Sequence, residues 1–250
     1  MSSIIKTYLF LLISFGGLSQ ITQGCTEMRE DFEGGSSAMT IRGDHSFEGG
    51  NLVLKLTQEE GKLNGVGSQA TTNEYFQYGR INARLRTAGT NGVVSAMFTM
   101  ADNKDEIDLE WLGGNSRELL SNYFYQGELV YTNNGTHVGA DSSKEFVVYS
   151  LDWKEDSLSW LINNRVVRTL KKSDTLDRKT GVYKYPSNPT RIHFSIWDGG
   201  DSTEDGTSEW AGGPVPWNDP AIHDDGRLDM KIDYLEVKCT PSLRRRTLRS

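Results

Sequence analysis

The chain has 250 residues, 24% of them charged, and a formal net charge of -7 at pH 7. That length suits one all-β or α/β domain, with a core large enough to stand without metal or a dense disulfide framework. A mean hydropathy of -0.53 excludes a polytopic membrane protein, and the acidic balance argues against a nucleic-acid partner, whose affinity rests on neutralising phosphates.

Residues 1–24 have the order of a secretory signal peptide. Lys6 precedes an apolar run from Tyr8 to Phe15, followed by small and polar residues to Gly24. The run is short for a bilayer span, although an uncleaved anchor shares its features. A domain over 25–240 follows, then a basic tail over 241–250 with Arg244, Arg245, Arg246 and Arg249, read as a solvated extension. That tail has no apolar stretch of the lipid-anchor kind, so the expectation is a secreted protein, extracellular or in a cell wall, with no stable membrane anchor.

Cys25 and Cys239 stand at the two ends of the expected domain. Export favours oxidation, and domain termini often lie close together, so one disulfide is expected; two free thiols are the alternative.

The elements are β in character. Leu52–Leu56 is a short apolar strand. Tyr78–Arg86 alternates, with Arg80, Asn82, Arg84 and Arg86 on one face. Gly92–Met100 and Glu106–Leu112 follow. Asn134-Gly135-Thr136 is a glycosylation sequon in a turn-like stretch, which predicts a surface site at Asn134. Phe146–Trp153 and Ser157–Ile162 read as a hairpin across which Trp153 and Trp160 face each other, and both read as core. Asn163-Asn164 turns the chain into Arg165–Leu170, and a short helical piece is expected over Leu170–Leu176. Arg191–Trp197 and Met230–Lys238 complete the set. With 26 glycines and frequent turns, two packed antiparallel sheets of jelly-roll type are the natural solution.

The sharpest feature is Asp105-Glu106-Ile107-Asp108-Leu109-Glu110-Trp111-Leu112. On a strand, Glu106, Asp108 and Glu110 share one face, and Ile107, Leu109 and Trp111 the other. Like charges so close raise one another's pKa, so one acid can hold its proton near neutrality. Glycosidic cleavage with retention uses such a pair, an ionised nucleophile and a protonated acid. Spacing alone leaves two alternatives open: a solvated acidic face without chemistry, and a calcium site built of oxygen ligands.

These residues resemble the active-site strand of glycoside hydrolase family 16. The resemblance implies a concanavalin-like jelly roll, with Glu106 as nucleophile, Asp108 as helper and Glu110 as acid/base. Tyr75 to Arg80, Asn122-Tyr123-Phe124, Tyr149 to Trp153, Ile196 to Gly200 and Glu209 to Gly213 look similar to one branch. That branch is the fungal cell-wall Crh-type transglycosylases, which move chitin chains onto β-glucan. Leu109 departs from the aromatic residue usual there.

On Arg191–Trp197, the residues Arg191, His193, Ser195 and Trp197 share a face opposite Ile192, Phe194 and Ile196. The second set reads as core, the first as cleft lining. Trp197 and Trp210, read as lying in Gly-rich loops, are candidate stacking platforms, with Trp217 a further candidate, since indoles stack on the apolar faces of sugars. By resemblance His193, Trp197 and Thr207 fall near chitin-contacting positions. His193 alone reads equally as a ligand contact or as the partner of a buried backbone group.

The expected partners are polysaccharides, chitin as donor and β-glucan as acceptor, with no cofactor, no metal and a monomeric chain. A hydrolase on the same scaffold and a lectin-like module are the competing readings.

Overall fold

The computed structural model describes residues 25–58, 62–203, 206–219, 222 and 226–239. The expected signal segment 1–24 and the arginine-rich tail lie outside them.

In chain order the strands are β1 (Met28–Glu30), β2 (Met39–Arg42), β3 (His45–Glu48), β4 (Asn51–Gln58), β5 (Gly65–Val66), β6 (Ser68–Thr72), β7 (Gly79–Arg86), β8 (Val93–Ala101) and β9 (Glu106–Leu112). They continue with β10 (Glu118–Phe124), β11 (Gly135–Val138), β12 (Val147–Trp153), β13 (Ser157–Ile162), β14 (Arg165–Lys171), β15 (Leu176–Asp177), β16 (Val182–Tyr183), β17 (Thr190–Asp198) and β18 (Arg227–Lys238). One sheet runs β14-β13-β12-β7-β18-β4-β3, with β1 on β18 and β5 on β4. A second runs β11-β10-β9-β8-β17-β6-β2, and β15 and β16 pair apart from both. Neighbours distant in sequence, such as β7 between β12 and β18, show the chain passing back and forth between sheets. This is the expected jelly-roll sandwich.

The alternating patterns decide which face is buried. Ile107, Leu109 and Trp111 of β9 and Ile192, Phe194 and Ile196 of β17 are at most 1% exposed. Opposite them lie Leu85, Tyr149, Leu151, Trp153 and Trp160 of the larger sheet, all in the same core. Trp111 meets Tyr149 across the gap, with ring centroids 4.5 Å apart. Trp153 and Trp160 are in the core as expected, but they do not face each other. The register pairs Trp153 with Leu158 and Trp160 with Leu151.

Asn163 and Asn164 both take left-handed backbone (φ 47 and 65), as a two-residue mirror-type hairpin turn demands. The helix expected over Leu170–Leu176 is absent. Leu170 pairs with Leu158 in the β13–β14 ladder, and only a 3₁₀ turn, Lys172–Thr175, follows. Sheet pairing takes the residues whose pattern had suggested a helix.

Cys25 and Cys239 are joined, with Cα atoms 5.3 Å apart. Gly79 lies under the bridge with φ +113, where a Cβ would come within 2.7 Å of the Lys238 carbonyl oxygen. Glycine is required there on both counts.

Candidate active site

Residues paired across a ladder project to the same face, so the register alone assembles the site. Arg191, Met100, Glu106 and Phe124 form one row across β17, β8, β9 and β10. Thr71, His193, Phe98, Asp108 and Asn122 form the next, beginning on β6. Gln69, Ser195, Ala96, Glu110 and Leu120 form the third, and Trp197 and Leu112 flank Val94 in the fourth. The three acids therefore share one face with Arg191, His193, Ser195 and Trp197, opposite the core.

This face is not simply a solvated acidic surface. Asp108 is 4% exposed, and Glu106 and Glu110 are half-buried. Burial, then the charges of Glu106 and Glu110, push the Asp108 carboxyl well above the usual range, so it is the proton holder in its hydrogen bond with Glu106. Burial raises Glu106 as well, but the bond from Asp108 works the other way and favours its ionised form. Glu110 is pushed up to about 7, by burial first and by the Glu106 charge second. Three like residues on one strand thus hold their protons differently, with Glu106 the most readily ionised of a coupled set. Among the described residues, no group of three or more His, Cys, Asp and Glu is arranged to hold a metal ion.

The strand is anchored from the core side and at its N-terminal end. The Trp160 indole N–H crosses the sandwich to the Asp108 carbonyl oxygen at 3.0 Å. Asp105, 2% exposed, accepts the Gln126 N–H, the Ser187 and Asn188 N–H groups and the Asn188 side-chain amide. It ties three segments together at the end where Glu106 emerges, a role its place in the motif did not reveal.

His193 stacks on Phe98 with ring centroids 4.6 Å apart and planes 11° from parallel. Its Nδ1 lies 2.8 Å from Gln69 Nε2 and 3.0 Å from Thr71 Oγ1. Burial, then the nearby Arg191 charge, lowers it to about 4, so it is neutral at neutral pH. With Nδ1 accepting from the Gln69 amide, Nε2 carries the proton and is a donor. Neither Gln69 nor Thr71 stood out in the sequence; the Thr-containing β6 segment was their signal.

Trp197 and Trp210 stack at 6.4 Å and 28°. Trp197 lies on β17, not in a loop. Trp210 lies on a helix missed from the sequence, α1 (Thr207–Ala211), bounded by left-handed Gly206 and Gly212. Thr207 sits three residues before Trp210, on the same helix side. Trp217 is no platform: it is 7% exposed and belongs to the core, its ring against Gly65. Asn134 is exposed, as a sequon site requires.

Residues 33–212 match Glycosyl hydrolases family 16. The chain belongs to this family. Among curated relatives it is 36% identical over 216 residues to "Probable glycosidase CRR1" of Saccharomyces cerevisiae, covering 84% of this chain and 49% of that protein. It is 40% identical over 199 residues to "Crh-like protein UTR2" of Candida albicans, covering 78% and 41%. The chain thus spans about half or less of the length of these relatives. A solved "Crh5 transglycosylase in complex with NAG" superposes with a TM-score of 0.75 at 26% identity, covering 86% of this chain and 85% of that one. A Bacillus licheniformis β-glucanase shares the fold, with a TM-score of 0.69 at 18% identity over 85% and 97% of the two chains.

Proposed function

We propose that this chain is a secreted transglycosylase that cuts a chitin-type donor with retention and passes the released chain to a β-glucan hydroxyl. The observation that carries this reading is the placement of Glu106, buried Asp108 and Glu110 on one open face of a single strand, where burial raises the pKa of Glu110 to about 7. Glu106, steadied by the Asp108 proton, attacks the anomeric carbon. Glu110 gives its proton to the departing glycosidic oxygen. The leaving chain departs and the donor remains as an ester of Glu106.

The same electrostatics explain the second half. The negative charge of Glu106 is one cause of the raised Glu110 pKa. Esterification removes that charge, the Glu110 pKa falls, and its carboxylate becomes the base that takes a proton from the incoming hydroxyl. Attack on the anomeric carbon then breaks the ester and restores both acids. The Crh names and the N-acetylglucosamine-bound neighbour support the choice of donor; the indole pair and the Nε2 donor of His193 supply stacking and hydrogen bonding for sugar rings.

The test incubates the chain with chitin oligosaccharides and a fluorescent β-1,3-glucan oligosaccharide and follows product masses. Hybrid masses are expected. Shortened products alone would make it a hydrolase, and binding without turnover would make it a lectin.

A further inference from the structure

The open face has halves of unequal width on either side of β9. Toward β2 there are four strand spacings, about 19 Å; toward β11 there are two, about 10 Å. The wide half carries Gln69, Thr71, His193 and the indole pair. During transfer the esterified donor must stay while one chain leaves and another enters. The half with more contacts suits the chain that stays, which leaves the narrow half to the acceptor.

The narrow half has an aromatic of its own. Phe124 stands opposite Glu106 in the ladder and is 8% exposed. The Tyr131 ring meets it edge-on, with centroids 6.1 Å apart at 81°, and remains 66% exposed. An exposed aromatic on a loose loop would lose entropy on binding, but this loop is pinned. Arg168 donates to the carbonyl oxygens of Ser121 and Asn133. The Asn133 and Asn134 N–H groups close the turn onto the Val130 and Tyr131 carbonyl oxygens. The Arg168 guanidinium lies 4.5 Å over Trp160, the same indole that bonds the Asp108 carbonyl oxygen. One connected set of contacts therefore runs from the backbone of the acid strand to the segment that carries Tyr131.

We propose that Tyr131 is the acceptor platform, on which a pyranose ring of the incoming β-glucan stacks, and that Arg168 is the positioning residue that seats it. This deepens the transglycosylase reading and rests on it.

The test measures hybrid formation against acceptor and donor concentration separately. Tyr131→Ala should raise the acceptor KM about tenfold more than the donor KM, and Tyr131→Trp should restore it. Arg168→Gln should raise the acceptor KM in the parent chain and add nothing in the Tyr131→Ala background; independent, additive losses would assign Arg168 a merely structural role. Equal changes in both KM values, or none, would overturn the platform. If the parent chain forms no hybrids, the transglycosylase reading fails, and titration of β-1,3-glucan pentasaccharide into the Glu106→Gln variant still decides Tyr131. Binding about tenfold weaker with Tyr131→Ala supports the platform, and equal binding removes it.

Discussion

Glu110 and Glu106 differ by surroundings rather than by chemistry, and pH is the lever that exposes the difference. In the proposed mechanism cleavage needs Glu110 protonated, so kcat/KM should fall about tenfold per pH unit above about 7, with the acid limb set by ionisation of Glu106. A pH–rate profile flat to pH 9 would remove Glu110 from the acid role. Glu106→Gln should abolish turnover while sugar binding persists, as measured by oligosaccharide titration. Stability carries the same signature. The folded state holds the Glu110 proton up to about 7 against an ordinary 4.5, so its charge destabilises the fold progressively between those values and fully above them. That difference corresponds to a ceiling of about 3 kcal/mol, reduced to roughly 2 by partial water access. Glu110→Gln should therefore raise the melting temperature at pH 8 more than at pH 4.5; equal shifts would contradict the burial argument.

Strand β9 was legible because its alternation is strict and its acids are conspicuous. Its neighbours were less so. β6 is short and made of small and polar residues, β10 breaks alternation with two adjacent leucines, and no local pattern says that Ser195 will lie beside Ala96 and Ala96 beside Glu110. That register comes from non-local pairing. Trp217 offered no local sign of burial, which depends on a distant glycine: the bare backbone of Gly65 lets its ring pack inward. The helix that carries Trp210 had its signal, a glycine at each end, but five residues are too few for periodicity to register. Trp160 is where the elements couple. Trp160→Phe should cost about 1–2 kcal/mol in chemical denaturation, from the lost bond to the Asp108 carbonyl oxygen and the weakened contact with Arg168. Unchanged stability would mean that the indole N–H contributes little to holding the acid strand.

Across the whole molecule, the Cys25–Cys239 bridge closes a loop with a sequence separation of 214. Loop-closure entropy puts a ceiling of about 5 kcal/mol on its worth, and about 2–4 is typical. The double Ser replacement should lower stability by that amount while the acids, far along the chain, keep their pH profile. A profile altered as much as the stability would show that the bridge shapes the active face as well as closing the chain.

Asn134 lies three residues beyond Tyr131, and its N–H bonds the Tyr131 carbonyl oxygen. A branched glycan on that asparagine would stand as a hydrated hedge beside the narrow half, letting thin oligomers through and shutting out bushy polymers. Asn134→Gln should then broaden use of branched glucan while short linear acceptors react as before. Identical size selectivity with and without the sugar would leave the hedge no role.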